Sequence, residues 1–193
     1  MALIQMSFLS TALKRTVPVT VVLPVDNTAF LRETPRFPTL YLLHGLLGSH
    51  TDWVCNTRIQ KWAEERGLAV VMPSGDNSFY IDQLLPNQDY GEFIGRELVE
   101  MTRRAFPLSH DREETFLAGL SMGGFGAMRN GLKYADTFSQ IVSLSPALHL
   151  FEGDGEQVCG LLGKPLEKWE EIKNSDVEWL TWLYPTKYPL IYK

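Results

Sequence analysis

Gly119-Leu120-Ser121-Met122-Gly123 is the stretch of this chain whose residue types and spacing could do chemistry. A serine with glycines two residues away on either side can be raised on a sharp turn as a nucleophile for acyl transfer. Thr115-Phe116-Leu117-Ala118 before it is an apolar run that reads as a strand, and Met122 to Tyr134 reads as a helix. Strand, turn, helix is the context that gives the spacing its meaning. Such a turn forces strained backbone angles on Ser121, so the flanking positions must be small, and Gly119 and Gly123 are. A helix starting at this point aims unbonded N–H groups and a positive dipole end at the negative oxygen that forms during attack. The N–H of Met122 is the expected first donor to that oxygen.

A second donor has to come from a loop after an earlier strand. Pro38 to His44 is a short, continuous apolar run typical of a strand buried on both faces, and His44-Gly45-Leu46-Leu47-Gly48 follows it. Gly45 lets the backbone turn with its amides toward the cleft, which makes the Leu46 N–H the second donor; the alternative is a plain glycine turn. His44 precedes the serine, whereas the catalytic order in this arrangement is Ser, then Asp or Glu, then His. It is expected to brace the loop through a side-chain hydrogen bond.

The elements that must position these groups follow from periodicity. Residues 3–9 and 16–23 alternate as an antiparallel strand pair. Thr57 to Arg66 has helical spacing, with Gly67 as its stop, and Leu68 to Pro73 is a buried strand. Tyr90 to Phe106 is an amphipathic helix ended by Pro107, and Gln140 to Ser145 is a strand after the nucleophile helix. Lys187 to Lys193 begins a further strand. Strands alternating with helices predict one α/β domain over residues 1–193: a mainly parallel sheet, helices on both faces and an antiparallel N-terminal pair. Residues 149–185 are acidic and carry Trp169, Trp179 and Trp182, which reads either as a small cap over the site or as an ordinary hydrophobic face.

Bulk properties narrow the function. A chain of 193 residues supports one sizeable core. Its 45% hydrophobic and 21% charged content is that of a globular domain. A net charge of −5 with no basic stripe argues against nucleic acid. No run reaches the ~18–20 apolar residues of a membrane span. The two cysteines, Cys55 and Cys159, lack metal or redox spacing, so the expectation is a cytoplasmic protein without metal or cofactor, acting on a small molecule.

Three strings in order, His44 to Trp53, Pro73 to Tyr80 and Gly119 to Gly124, together resemble the tributyrin-esterase group of the esterase D family. That family also contains S-formylglutathione hydrolases and some feruloyl and acetyl esterases. The resemblance runs the length of the chain and implies a serine carboxylesterase of the α/β-hydrolase fold, metal-free and acting on short acyl esters such as tributyrin or acetyl esters. It also implies that the loop from Asp76 to Tyr80 borders the substrate cleft, with Asn77 and Tyr80 against the ester; read from the residues alone, the same loop is equally a structural turn. Trp53 reads as a cleft wall or as core.

Members of that family are longer. Their triad acid and base correspond to positions past Lys193, so the chain is expected to be C-terminally incomplete and weakly active by itself. His149 is the one histidine after Ser121, a substitute base or, as the more ordinary reading, a pocket-lining residue. A missing strand and helix would leave a sheet edge open to pairing with another chain, and so to a homo-oligomer. The competing functions are S-formylglutathione hydrolysis and a catalytically dead α/β-hydrolase used as a binding module.

Overall fold

The computed structural model describes residues 1–26, 36–83, 86–148 and 191–192. The N-terminal alternation forms β1 (Ala2–Ser10) and β2 (Arg15–Leu23), paired antiparallel without a break from Ala2 opposite Leu23 to Ser10 opposite Arg15. The apolar runs become β3 (Thr39–Leu43), β4 (Ala69–Pro73), β5 (Thr115–Leu120) and β6 (Gln140–Leu144), and β7 (Ile191–Tyr192) follows. They make one sheet in the order β1-β2-β4-β3-β5-β6-β7. β1 is antiparallel to β2, β2 is antiparallel to β4, and every pairing from β4 to β7 is parallel. This is the α/β architecture expected of the sequence.

Parallel strands covered on both faces carry apolar side chains at successive positions, and the strand centres show this. Tyr41, Leu43, Val71, Leu117 and Ile141 point to one face and pack with Phe93, Ile94, Leu98, Phe125 and Phe138. Leu42, Val70, Met72 and Ala118 point to the other and pack with Ile59 and Ala63. The helix expected over 57–66 forms as α2 (Ile59–Arg66), and a short helix that the sequence reading did not include, α1 (Asp52–Asn56), precedes it. Thr57 separates them, donating its hydroxyl to Trp53 O at 2.5 Å and accepting the Ile59 N–H at 3.1 Å. Gly67 closes α2 in the left-handed conformation, at φ 59°. The helix expected over 90–106 runs as α3 (Tyr90–Glu92), a π-helical turn (Phe93–Glu97) and α4 (Leu98–Ala105).

The nucleophile helix α5 (Met122–Lys133) is driven hard against the sheet. A methyl group on Gly123 would lie 2.5 Å from Leu43 O and 2.6 Å from His44 O, both backbone atoms that cannot step aside. Gly to Ala inside a helix ordinarily gains up to about 1 kcal/mol. Here the overlap decides the sign, because forced overpacking costs about 1–3 kcal/mol. Gly123→Ala is therefore expected to lower stability by roughly that amount, read as a drop in the urea midpoint at unchanged slope.

Candidate active site

Ser121 sits at the junction of β5 and α5 with φ 57° and ψ −114°, a region that L-residues avoid. Three backbone hydrogen bonds hold it there. Its N–H donates to Leu144 O at 2.9 Å, and its carbonyl accepts from Phe125 N–H at 3.0 Å and Ala147 N–H at 3.2 Å. Gly119 has no room for a side chain because the Gly123 carbonyl occupies that space. Gly119 is thus required by the backbone of Gly123, and Gly123 by the carbonyls at the end of β3. Met122 opens the helix, so its N–H has no intrahelical acceptor. Among the described residues neither this amide nor that of Leu46 meets an acceptor.

The loop after β3 packs directly on this turn. A Cβ built on Gly45 would lie 3.7 Å from Ser121 Cβ and 3.5 Å from Leu120 O, ordinary contact distances. Gly48 N–H donates to Gly45 O at 3.1 Å, closing a tight turn in which Leu47 takes φ 61°. Asn77 Oδ1 accepts the Leu47 N–H at 2.8 Å, so the strained residue is pinned from the neighbouring loop.

His44 is buried and uses both ring nitrogens. Gly75 N–H donates to Nε2 at 2.9 Å, which leaves Nδ1 as the protonated nitrogen donating to Gly45 O at 2.7 Å. Its carbonyl accepts the Tyr80 hydroxyl at 3.0 Å. Burial lowers the His44 pKa, against smaller opposing effects of the Gly45 carbonyl and the Asp52 and Asp76 charges. The ring is therefore a neutral brace, fully committed to two loops.

The loop after β4 is anchored in turn. Asp76 accepts from Arg15 at 2.5 Å and from the Tyr90 hydroxyl at 2.6 Å. Ser78 Oγ donates to Gly75 O at 2.6 Å. Asp82 meets Arg129 at 3.2 Å and Lys133 at 2.6 Å, both on α5, and accepts the Glu92 N–H at 3.0 Å. Burial opposes the charge on Asp82, yet Arg129 and Lys133 outweigh it and hold the carboxyl below its usual range. Asn130 Nδ2 donates to Tyr80 O at 3.0 Å. The helix that carries Ser121 and the loop that pins Leu47 are thereby locked to each other.

The structure brings Ser121, Met122 and the Gly45–Leu46 loop together as the sequence expects. Asn77 joins them through Leu47. Tyr80, expected to border the cleft, is instead fully buried beneath the loop, with its hydroxyl on His44 O. Trp53 packs against the second apolar cluster and donates Nε1–H to Leu43 O at 3.2 Å, at the base of the oxyanion loop. His149 and the 149–185 segment lie outside the described residues. Sequence reasoning missed Asp82, Arg129 and Lys133; the i, i+4 spacing of the two cations was the one available signal. Among the described residues no cluster of His, Cys, Asp or Glu could hold a metal.

Two outcomes follow from this geometry. Asn77→Ala leaves the strained Leu47 amide without its partner and should lower stability by about 0.5–1.5 kcal/mol, read as a drop in the urea midpoint at unchanged slope, while Asn77→Asp, which keeps an acceptor, loses less. For His44 the depressed native pKa means that only the unfolded chain takes up its proton as pH falls below about 6.5. Its contribution to stability is complete above that value and declines as pH falls toward the lower native pKa. The loss in urea midpoint between pH 7.5 and pH 5 should accordingly be smaller in His44→Gln than in the native chain.

Comparison with known proteins bears on what such a site is for. Residues 10–182 match the family described as "Putative esterase". An acetyl esterase of Caldicellulosiruptor saccharolyticus is 45% identical over 77% of this chain and 57% of its own length. An S-formylglutathione hydrolase of Paracoccus denitrificans is 27% identical over 70% of this chain and 56% of its own. The chain thus spans a little over half the length of these relatives. Among solved structures, the S-formylglutathione hydrolase of Staphylococcus aureus superposes with a TM-score of 0.75 at 29% identity, covering 98% of this chain and 77% of that one. An S-formylglutathione hydrolase of Agrobacterium tumefaciens, at 20% identity and a TM-score of 0.70, shares the fold. With the family match running through both the loop after β3 and the serine turn, the chain belongs to this esterase family of the α/β-hydrolase fold.

Proposed function

We propose that this chain carries the nucleophile and oxyanion hole of a serine carboxylesterase acting on short-chain esters, tributyrin or acetyl esters among them. The observation that carries the reading is the strained Ser121 at a helix start, with the Gly45 loop in contact behind it. Ser121 Oγ attacks the ester carbonyl carbon, and the π electrons move onto the carbonyl oxygen. The Leu46 and Met122 N–H groups donate to that oxyanion. Collapse re-forms the carbonyl, expels the alcohol and leaves an acyl group on Oγ, which water then hydrolyses. A general base takes the Ser121 proton. Of the three described histidines, His44 is committed to Gly45 and Gly75, His50 holds Thr20 Oγ1 through Nδ1 at 2.7 Å, and His110 precedes β5, at the end of that strand opposite Ser121; among the described residues none is hydrogen-bonded to Ser121. His149 is retained as the candidate within this chain, a substitute base or a residue lining the pocket.

Short acyl chains fit the surroundings of the serine. Leu47 is 84% exposed and Leu120 42% exposed, so two apolar side chains flank the turn. They offer contact to a few methylenes rather than a long channel. A free, exposed Cys55 suits a reducing, cytoplasmic compartment. The second reading, hydrolysis of S-formylglutathione, rests on the Paracoccus and Staphylococcus relatives; the 45% identical acetyl esterase favours the first.

A fluorophosphonate probe on the esterase should label Ser121, and Ser121→Ala should abolish both the label and, by on the order of 10⁴–10⁶, the turnover of p-nitrophenyl acetate. Labelling that persists in Ser121→Ala overturns the assignment. Acetyl to butyryl esters should turn over faster than chains of ten or more carbons. Preference for S-formylglutathione over p-nitrophenyl acetate would move the substrate to the second reading.

A further inference from the structure

We propose that β1 pairs antiparallel with β1 of a second copy of this chain, across a two-fold axis at Met6, so that two sheets become one. The inference does not rest on the catalytic reading. β1 is the outer strand of the sheet and, among the described residues, pairs with β2 alone, so the backbone groups along its other side are open. Exposed edges normally carry a charge, a proline or a bulge that blocks pairing. None is present here: Ala2 to Ser10 contains no Lys, Arg, Asp, Glu or Pro, and its register with β2 is unbroken over nine residues.

A second copy fits because the polarity pattern of the strand is a palindrome. Read from Leu3 to Leu9, the order Leu-Ile-Gln-Met-Ser-Phe-Leu is apolar, apolar, polar, apolar, polar, apolar, apolar in both directions. Antiparallel pairing centred on Met6 sets Leu3 opposite Leu9 of the second copy, Gln5 opposite Ser7, and Ile4 opposite Phe8. Leu3, Gln5, Ser7 and Leu9 are exposed on one face, with Leu3 at 46% and Leu9 at 69%. Pairing therefore covers two leucines with leucines and gives the Gln5 amide a hydroxyl. Ile4, Met6 and Phe8 already lie half-buried against the core on the other face. Isologous contact of this kind closes on itself and makes a dimer, not a fibre.

The flank does not resist. Beside the far end of β1 a groove of about 600 Å³ is lined by both signs of charge in equal number, with Lys14, Arg96 and Arg104 alongside Glu92, Glu97 and Glu100. A chain of net charge −5 thus presents no excess charge at this edge. Strand pairing alone is a small interface, so association should depend on concentration.

The test is sedimentation equilibrium across micromolar to submillimolar protein. The native chain should shift from one to two chain masses. Gln5→Lys/Ser7→Lys sets lysine opposite lysine twice and should remain monomeric, as should Gln5→Glu/Ser7→Glu. An equimolar mixture of the two should recover the dimer, since each Lys then faces Glu. A native chain that stays monomeric, a lysine variant that still dimerises, or a mixture that does not recover each overturns the proposal. Amide hydrogen exchange of the native chain reads the same interface without substitution: protection at β1 should rise with concentration, and its constancy would count equally against the pairing.

Discussion

Ser121 holds a backbone conformation that costs on the order of 1–3 kcal/mol, and the surrounding fold exists in the form that keeps it there. Its three backbone hydrogen bonds, to Leu144, Phe125 and Ala147, contribute about 0.5–1.5 kcal/mol each, which matches the strain without exceeding it by much. The remainder is steric. Gly119 and Gly123 bring β5 and the first turn of α5 into backbone contact, and Gly123 also touches the end of β3. Relaxing Ser121 would require parting two strands from a helix at once, so the strain is held by packing more than by any single bond.

The same contact settles where the oxyanion loop must lie. Because α5 presses on Leu43 O and His44 O, the chain leaves β3 directly beside the serine turn, and Gly45 lies in contact distance of Ser121. That loop has too few apolar groups to hold itself, so polar groups hold it. Neutral His44 ties it to Gly75, Asn77 ties Leu47, and Tyr80 ties the His44 carbonyl. Their own loop is locked to α5 by Asp82, Arg129 and Lys133. A buried pair of this kind is weak evidence for stability, since desolvation offsets much of the attraction. Its plainer effect is geometric: one rigid unit now contains the serine, both amides and the braces.

What could be read from the sequence followed the strength of the local signal. Ser121, Met122 and the Gly45 turn were legible because glycine spacing records a close approach of backbones, and a backbone approach leaves few residue choices. The buried strands were legible because two covered faces demand unbroken apolar runs, as in Leu40 to Leu43 and Ala69 to Met72. The short helix α1 before α2 was not, because five residues carry little periodicity and its end turns on the Thr57 hydroxyl, which competes with the helix backbone. The burial of Tyr80 was hidden for a different reason. A tyrosine in a polar loop after a parallel strand reads as ligand-facing, and only the strained φ values at Asp76, Phe79 and Tyr80 turn the ring inward. Asn77 lies in the expected loop, and its link to the Leu47 amide was not legible because it joins two loops thirty residues apart.

These residues divide the chemistry proposed for the chain into two separable parts. One is electrostatic: fixed N–H donors and a helix N-terminus, set in place before substrate arrives and needing no reorganisation during reaction. On the proposed reading this part lies within the described residues, braced by groups that stay uncharged or paired at neutral pH. The other part moves a proton and requires a base within reach of Ser121 Oγ, which the described histidines do not supply. In serine hydrolases the first part by itself retains about 10³–10⁴ of acceleration over water. If Leu46 and Met122 are the donors proposed above, that residual activity would depend on their position and not on a base, and the polar bracing around His44 and Asn77 would matter to catalysis even with proton transfer disabled.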